Sequence, residues 1–338
     1  MALPYTRSEI KDRAREQWHG ACNVTLPSFT GDFSALNARG IAHDVRKAAE
    51  HGFWGTLVAS ESGTTTGEYV QFMEIAKEAA PEDFRLVAHL SFSTVEESLR
   101  VADAATELGF EAGLLSYPPS FRPKSAQEVV EHTRLVSERT DLALILFAVM
   151  TWGFKHLHTS GFPPEALEEM ARLDTAAALK YEAGGAASLS ALVDMHKRVG
   201  QLVLVENPME QYGPLTVETL GVQWIGTSGY EAFGDRVPRW MDLLRNGKWD
   251  DAMEVFWSYQ AAREAKGAFH ATFGGANLIH RNGWKYLSYL QGYNGGLLRM
   301  PQMRLLPNQM KALRAGLAAS GYDLPEDDEQ FYTGRFPA

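Results

Sequence analysis

A lysine at the end of an apolar run is the residue best placed to do chemistry. Lys180 closes the small, apolar run 175–179 and is followed by a turn at 181–185 that contains Gly184 and Gly185. This pattern predicts a buried strand that delivers one amine to a loop-lined rim. Burial disfavours the ammonium form, and a neutral amine can attack a ketone to form a Schiff base. The alternative is a structural lysine that reaches solvent or a carboxylate such as Glu182.

The elements that would position this lysine repeat along the chain. Eight short apolar runs are predicted strands: 21–26, 55–60, 85–89, 112–116, 143–148, 176–180, 202–206 and 223–227. Six stretches with apolar residues at three- and four-residue spacing are predicted helices: 38–51, 67–80, 94–108, 126–140, 164–173 and 189–199. Strands that alternate with helices imply right-handed parallel crossovers, and eight such units close into an α/β fold, the (β/α)₈ TIM barrel. An open doubly wound sheet competes, but no glycine-rich dinucleotide loop follows the first run.

The last third of the chain has a different pattern. Four helical stretches follow residue 236, at 237–245, 249–266, 270–293 and 307–319. No low-complexity segment or clear linker separates them from the strands. We therefore predict one compact protein with a barrel over 1–236 and a C-terminal helical extension, over 237–338, packed on the barrel.

Composition excludes several classes of function. With 338 residues, 45% of them hydrophobic, the chain can bury a large core. The net charge of -10 disfavours nucleic acid and anionic membranes as partners. Cys22 is the single cysteine, which excludes an intrachain disulfide and a multi-cysteine metal site. Segment 1–17 lacks the apolar core of a signal peptide and no apolar run could span a bilayer, so we predict a cytoplasmic protein.

In such barrels, chemistry takes place at the C-terminal ends of the strands. The side chains at those positions are Thr25, Glu61, Ser62, His89, Tyr117, Phe147, Lys180, Glu206 and Thr227. They offer one nucleophile, three acid/base groups (Glu61, His89 and Glu206) and hydroxyls able to hold a carboxylate or a water. They do not form a metal constellation. His156 and His158 lie two residues apart and would face different ways in a helix, so no metal site is predicted.

Three segments resemble the dihydrodipicolinate synthase / N-acetylneuraminate lyase family. They are Lys180 at the sixth strand, 61–68 after the second strand, and the stretch from Gly283 to Pro301. The resemblance runs from about Gly20 to Ser320. It implies a (β/α)₈ barrel with a helical extension, a homo-oligomer (dimer or tetramer), and a strand-six lysine that forms a Schiff base with pyruvate or another 2-oxo acid. Lys180 matches that lysine by position and strand context.

The segment after strand two departs from the family pattern. The family carries a Thr-Thr or Ser-Thr pair followed by Gly-Glu, which holds the 2-oxo acid carboxylate. An alignment without a gap puts 61–64 on those positions, so Ser62 and Gly63 keep the expected chemistry. A shifted alignment would put 65–68 there instead. We favour the gapless one, which places Glu61 at the barrel mouth near Lys180, either as an acid/base group or as an ion-paired rim residue.

A second departure concerns the proton shuttle. Where the family has a tyrosine at the end of strand five, this chain has Phe147, which cannot carry a proton. Glu61, His89 and Tyr117 are the candidate replacements. His89 ends strand three, and an unperturbed imidazole titrates near neutral pH. The alternative for His89 is a core histidine hydrogen-bonded to the backbone.

A third departure concerns the substrate. The arginine that binds the second substrate's carboxylate in the lysine-pathway synthase falls in the loop after strand five, where this chain has Trp152 and Phe154. These rings predict an apolar or aromatic substrate portion, which argues against the lysine pathway. The loop 117–121 adds aromatic surface, or else packs at a subunit interface.

Together these observations predict a carbon–carbon lyase, a Schiff-base aldolase of the hydratase-aldolase kind, acting on a 2-oxo acid with a hydrophobic or aromatic partner. Pyruvate is the expected fragment. Lys180 is the nucleophile and Glu61 or His89 the shuttle, and the predicted substrate contacts are Ser62, Gly63, Tyr117, Phe147, Trp152 and Thr227. The protonated imine is the electron sink, so no cofactor is expected. Two alternatives stay open: a 2-keto-3-deoxy acid dehydratase or hydratase on the same imine, and a non-catalytic ligand-binding barrel.

Overall fold

The chain folds as a (β/α)₈ barrel with C-terminal helices, as the sequence predicts. The computed structural model describes residues 3–274 and 278–338. The strands are β1 Gly20–Thr25, β2 Gly55–Val58, β3 Arg85–Leu90, β4 Ala112–Leu115, β5 Leu144–Val149, β6 Ala176–Glu182, β7 Leu204–Glu206 and β8 Trp224–Ile225. They follow one another in the sheet in chain order from β1 to β7, and β8 lies beside β1.

Helices fill the connections and the C-terminal part. Those up to β8 are α1 Ile10–Gln17, α2 Ala38–Glu50, α3 Thr66–Ala79, α4 Val95–Glu107, α5 Ala126–Arg139, α6 Pro164–Met170, α7 Ser188–Val199 and α8 Gly213–Leu220. After β8 come α9 Arg236–Arg245, α10 Trp249–Ser258, α11 Gln260–Gly274, α12 Arg281–Leu290, α13 Pro307–Ala319 and α14 Glu329–Thr333. Several begin with a side-chain cap. Thr65 and Thr94 each form a capping box with the glutamate three residues later, which satisfies N–H groups that the first turn leaves unpaired.

The eight predicted strands and six predicted barrel helices are all present, with shifted ends. The prediction of one helix over 249–266 is wrong, because the helix breaks at Tyr259 between α10 and α11. The helix predicted over 270–293 is also wrong: α11 runs to Gly274 and α12 begins at Arg281, while residues 275–277 lie outside the described residues. The helices α1, α8 and α14 carry too short or too polar a pattern to be predicted.

The chain divides into two compact units, each made of two segments. The first contains residues 1–20 and 85–227, and the second contains 21–84 and 228–338. The boundary predicted at 236/237 between barrel and extension stays a prediction.

Strand register in the first unit decides which side chains share a face. Phe147 of β5 and Glu206 of β7 both lie directly beside Lys180 of β6. Directly paired residues of neighbouring strands point to the same side of a sheet, and residues two apart on one strand do so as well. Phe147, Lys180, Glu182 and Glu206 therefore share one face. The opposite face of β6, with Leu179 and Tyr181, packs into a hydrophobic cluster with residues of α5, α6 and α7.

Helix α1 is attached to the first unit through a buried carboxylate. Glu111 immediately precedes β4 and is only 3% exposed. Its oxygens accept hydrogen bonds from Arg13 Nε at 2.8 Å and from Trp18 Nε1 at 2.9 Å. Trp18 is itself buried against Trp224. This polar helix buries only Ile10 and Ala14, and the Arg13–Glu111 contact is one of the polar contacts that hold it.

Within the second unit, β1 and β2 run parallel, with Thr25 beside Val58. Helix α2 packs against α3, and α11 packs against α13. Every residue of α12 is buried, including Lys285, whose amine lies 3.6 Å from the carboxylate of Asp44 on α2.

Candidate active site

The amine of Lys180 lies in a small polar niche within the first unit. The residue is only 5% exposed. Its Nζ donates a hydrogen bond to the carbonyl oxygen of Thr227 at 2.8 Å and lies 3.0 Å from Glu182 Oε1. It also lies over the ring of Phe147, 4.3 Å from the centroid, where the face of the aromatic ring favours a cation. A buried amine with a carboxylate in hydrogen-bond contact can exchange a proton with that carboxylate.

The strand geometry explains how Glu182 reaches the amine. Glu182 follows Lys180 by two residues in β6, so both side chains leave the same face of the strand. The Glu182 side chain is 25% exposed, whereas that of Lys180 is 6% exposed. Glu182 is therefore the member of the pair that also meets solvent, and it can pass protons between solvent and the amine.

Glu206 is a second carboxyl group beside Lys180, and its surroundings differ sharply. It is fully buried, and within residues 3–274 and 278–338 neither carboxyl oxygen has a hydrogen-bond partner. Burial raises the pKa of Glu206 well above its usual range. The Lys180 charge opposes that rise to a smaller extent, and so does the backbone N–H of Gly226, which lies nearby without meeting the geometry of a hydrogen bond. Glu182 adds to the rise by charge repulsion. The site thus holds one carboxyl open to solvent and one sealed from it.

His89 and Ser116 form a polar pair at the ends of β3 and β4. The Nε2 atom of His89 lies 3.2 Å from Ser116 Oγ, and both residues are buried. The register of β3, β4 and β5 puts His89, Leu114 and Ile145 side by side. The acid/base role of His89 stays a prediction. Ser116 is a hydroxyl that the sequence interpretation did not single out.

The indole of Trp152 packs against the Phe147 ring. Trp152 is half-buried, donates from Nε1 to the carbonyl oxygen of Phe147 at 2.8 Å, and meets the Phe147 ring edge-on at 5.5 Å. The hydrogen bond fixes the indole next to the ring that contacts Lys180. Phe154, by contrast, is 1% exposed and packs into the hydrophobic cluster.

The Tyr117 side chain packs into the hydrophobic cluster, and its role as a substrate contact or proton carrier stays a prediction. Its hydroxyl lies 3.0 Å from Thr133 Oγ1 on α5, and its ring stacks on Phe121 within the hydrophobic cluster. Burial raises the pKa of the Tyr117 hydroxyl above its usual range. The side chain faces the helices because it lies one residue beyond Ser116, and successive side chains of an extended chain alternate between faces.

Glu61, Ser62 and Gly63 belong to the second unit and follow β2. Glu61 is exposed and ion-paired with Arg281 at 2.9 Å. Ser62 is fully buried, and its hydroxyl donates to the carbonyl oxygen of Ala59 at 3.0 Å. Gly63 has a φ of +84°, and a Cβ there would come within 2.7 Å of Arg299 Cβ, so only glycine fits this turn. Their assignment as shuttle and substrate contacts stays a prediction.

The alternative alignment places 65–68 at the carboxylate-binding position. In the structure Thr65 caps α3, and Glu68 accepts a hydrogen bond from the Thr65 N–H at 2.9 Å. Glu68 also pairs with Arg299 at 2.6 Å. These side chains are engaged in starting the helix, which favours the gapless alignment.

Thr227, predicted to contact substrate, reaches Lys180 through its backbone rather than its hydroxyl. Its carbonyl oxygen accepts the Lys180 hydrogen bond, while Oγ1 is buried and has no hydrogen-bond partner among the described residues. In the part of the chain that the structure describes, no group of three or more His, Cys, Asp or Glu side chains could hold a metal ion. No described helix is both long and apolar enough to cross a membrane.

Comparison with known proteins identifies the family. The model of the dihydrodipicolinate synthetase family matches residues 35–260. The chain belongs to this family. The 4-hydroxy-tetrahydrodipicolinate synthase of Cutibacterium acnes is 26% identical over 293 residues, which span 85% of this chain and 91% of that protein.

Solved structures of the family share the fold. The dihydrodipicolinate synthase of Oceanobacillus iheyensis superposes with a TM-score of 0.76 at 16% identity, over 93% of this chain and 100% of that one. The N-acetylneuraminate lyase of Fusobacterium nucleatum gives 0.71 at 17% identity, over 89% and 98% of the two chains. As a member of the family, the protein is a carbon–carbon lyase of the aldolase type that acts on small molecules.

The sequence interpretation did not bring together the two carboxyl groups that lie beside Lys180. Glu182 entered only as a structural partner of Lys180, and Glu206 entered as one of three acid/base candidates without being placed. The signal for Glu182 was available, because a two-residue spacing in a strand puts it on the face of Lys180. The signal for Glu206 was not, since the register of β7 against β6 depends on tertiary packing.

Proposed function

We propose that this protein is a Schiff-base-forming lyase that cleaves or forms a C–C bond next to a 2-oxo acid, with pyruvate as the fragment and Lys180 as the nucleophile. The observation that carries the proposal is the position of the Lys180 amine, 3.0 Å from Glu182 and over the Phe147 ring. An amine held this way has a proton acceptor in contact and a stabilised cationic form. Both are needed for an imine to form and to stay protonated.

The steps follow from these contacts. Glu182 takes a proton from the Lys180 ammonium, and the neutral amine attacks the ketone carbon to give a carbinolamine. Loss of water then leaves a protonated imine. That cation lies over the Phe147 ring, where the negative face of the ring stabilises it. The imine accepts the electron pair of the breaking C–C bond, while Glu182, which has passed its first proton to solvent, takes the hydroxyl proton of the departing aldehyde. Glu182 then returns that proton to the enamine that results.

Glu182 takes over the task of the tyrosine that Phe147 replaces. Effective proton transfer requires the donor and acceptor heavy atoms within about 2.6–3.2 Å of each other. The separation of 3.0 Å between Glu182 and Lys180 meets this requirement. Glu61 has its own partner in Arg281, which reduces its freedom to act as a base. We therefore place Glu182 ahead of Glu61 and His89 as the shuttle.

The hydratase-aldolase assignment rests on the rings next to the lysine. Trp152 and Phe147 present contiguous aromatic surface, and the indole is fixed by its hydrogen bond to the Phe147 carbonyl. The described residues around the amine include two carboxyl groups and no arginine contact, which suits an uncharged, aromatic aldehyde better than a second carboxylate. We expect a cytoplasmic homo-oligomer, a dimer or tetramer.

A dehydratase or hydratase acting on the same imine is the second candidate. Two carboxyl groups beside one amine, Glu182 and Glu206, could remove a proton and protonate a leaving hydroxyl. Product analysis separates the candidates, because a lyase yields pyruvate and an aldehyde while a dehydratase yields one product that has lost water. The non-catalytic barrel is disfavoured, since Glu182 is within proton-transfer reach.

Borohydride reduction tests the proposal. The enzyme is incubated with each of a set of 2-oxo acids, including pyruvate and an arylidene-pyruvate, reduced, and examined by intact mass and peptide mapping. We expect one adduct on Lys180, and none there in Lys180→Ala. Lys155→Ala, which removes an exposed lysine of the same unit, is the matched control and should trap normally. Adducts confined to surface lysines would refute the proposal.

A further inference from the structure

The sealed carboxyl group of Glu206 is an unusual feature of this site. It is fully buried, and within the described ranges both of its oxygens lack a hydrogen-bond partner. An isolated ionised carboxylate is very costly to bury, so an unpartnered carboxyl at this depth is neutral unless a cation forms next to it. The register places Glu206 directly beside Lys180 and on the same face of the sheet.

The groups that face Glu206 bear on whether it keeps its proton in the resting enzyme. Lys180 and Glu182 face it from β6, and the N–H of Gly226 approaches it from the segment that follows β8. The Lys180 amine is in contact with Glu182, at 3.0 Å, and Glu182 also meets solvent, which Glu206 does not. Glu206 keeps its proton, since burial raises its pKa.

We infer that Glu206 is the proton donor that releases water when the imine forms on Lys180, a role that rests on the proposed function. In the carbinolamine the carbon bears a hydroxyl group and the Lys180 nitrogen. The nitrogen lone pair forms the C=N bond as the C–O bond breaks, and the hydroxyl leaves as water with the proton of Glu206. The products are a cationic imine, a Glu206 carboxylate and one water. Charge is conserved: Glu182 has taken the proton of the amine, so the imine cation is balanced by the Glu206 carboxylate.

Glu182 and Glu206 therefore transfer protons at different steps. Glu182 accepts the proton of the amine before attack and exchanges it with solvent, whereas Glu206 supplies a proton that solvent cannot deliver. Hydrolysis of the imine runs the same steps backwards, and the carboxylate of Glu206 then takes a proton from the attacking water. A reversible cycle therefore leaves Glu206 protonated again.

Rapid-quench borohydride trapping with pyruvate tests the inference. In Glu206→Gln, which keeps the shape and loses the acid, the rate of adduct formation on Lys180 at pH 7 should fall about 10²–10⁴-fold. The fraction trapped after long incubation should stay close to that of the wild type. Glu138→Gln, which changes an exposed glutamate of α5, is the control and should trap at the wild-type rate.

The pH profile and the wild-type spectrum provide independent readouts. The wild-type trapping rate should fall at high pH as Glu206 loses its proton, and Glu206→Gln should lack that fall. If Glu206→Gln does not fold, infrared difference spectra of the wild type decide instead. Addition of pyruvate should remove a protonated-carboxyl band and create a carboxylate band, and Lys180→Ala should show neither change.

The outcomes separate the two proposals. Unchanged trapping rate and pH profile in Glu206→Gln, or a wild-type infrared spectrum without a carboxyl change during adduct formation, would overturn the role of Glu206 and leave the Schiff-base lyase standing. A wild-type enzyme that forms no adduct on Lys180 with any 2-oxo acid would overturn both.

Discussion

Lys180 of the first unit and Lys285 of the second are both buried, but their surroundings are opposite. Lys180 contacts a carbonyl oxygen, an aromatic face and the carboxylate of Glu182, whose side chain is 25% exposed. Lys285 is 1% exposed and lies 2.9 Å from Ser28 Oγ and 3.6 Å from Asp44, whose side chain is 6% exposed. A buried amine can do chemistry when the base beside it meets solvent, because that base can then exchange its proton with water. Where both partners are sealed, the same pair of charges only holds elements together.

The electrostatics of the sealed pair agree with this view. Burial lowers the pKa of Lys285 and raises the pKa of Asp44, while their mutual attraction opposes both shifts. The Asp44 carboxylate also accepts a hydrogen bond from the backbone N–H of Asn294. These contacts tie α2 to α12 and to the segment that follows it. The pair is therefore a structural connection within the second unit.

The largest expected effect comes from removing either amine. Lys180→Ala should abolish turnover and trapping while its urea midpoint stays near that of the wild type. Lys285→Met should still be trapped by borohydride at Lys180, but its urea midpoint should fall. The loss of unfolding free energy should be about 3–5 kcal/mol, because Asp44 is left as an unpaired buried charge. Urea unfolding and borohydride trapping of both variants check the contrast. Full trapping in Lys180→Ala would refute it.

Removing both charges of the Asp44–Lys285 pair should show whether charge explains the structural role of Lys285. The double variant Asp44→Asn with Lys285→Met removes both charges, so it should recover much of the stability that Lys285→Met loses. Urea unfolding at several salt concentrations measures the recovery. A double variant no more stable than the single one would mean that packing of the Lys285 stem, rather than its charge, is what matters.

The proton shuttle provides the next largest effect. Glu182→Gln should lower turnover about 10²–10⁴-fold, because the amine loses its base. Glu61→Gln and His89→Ala should lower it less, and Glu61→Gln should mainly release Arg281. Single-turnover rates with the best substrate rank the three variants. Should His89→Ala lose most activity while Glu182→Gln keeps it, His89 would be the shuttle.

A pH effect should appear in the second unit, where Glu231 is 2% exposed. Burial raises the pKa of Glu231 from the usual 4.5 to about 7. The folded state therefore holds this proton more tightly than the unfolded state does, so the contribution of Glu231 to stability is fully present below pH 4.5 and is lost as pH rises to 7. The loss amounts to about 3 kcal/mol.

Comparison of unfolding free energies at pH 5 and pH 7 tests this loss. Glu231→Gln should remove the part of the pH dependence that Glu231 causes, whatever its effect on stability at pH 5. Trapping at Lys180 in the folded protein should not change. If the unfolding free energies of the wild type and Glu231→Gln change by the same amount between these pH values, Glu231 does not titrate as described.

The smallest effect is expected from the aromatic surface beside the active amine. Trp152→Ala should reduce kcat/KM for an arylidene-pyruvate about 5- to 150-fold, which corresponds to about 1–3 kcal/mol of ring burial. Imine formation with pyruvate should change much less. Equal losses for both substrates, together with a lower melting temperature or a smaller oligomeric mass, would show instead that the indole supports packing.

The sequence predicts the barrel better than the site. Alternating apolar runs and amphipathic stretches locate all eight strands, because each strand is buried and each helix has one apolar face. Helix α1 is missed because its eight residues are mostly charged and one of its polar contacts is with Glu111, about a hundred residues away. Lys180 stands out in the sequence because it closes an apolar run, although the strand itself continues to Glu182.

The positions of the remaining site residues depend on which way each side chain points and on how neighbouring strands are aligned. A single sequence does not specify either. Tyr117 and Ser116 are neighbours in the chain, yet one faces α5 and the other faces His89. Glu206 gains its importance from lying beside Lys180 on another strand. Such relations are set by how strands pair, and local residue patterns do not specify them.

The pairing of Asp44 with Lys285 also bears on how the protein is made. A ribosome releases the chain from the N-terminus, so Asp44 emerges long before the lysine that neutralises it. The second unit joins residues 21–84 to residues 228–338, and its first segment waits while the whole of 85–227 is synthesised. During that interval Asp44 lacks the cation that α12 supplies. Newly made chains of this protein should therefore depend on chaperones until the last hundred residues have left the ribosome.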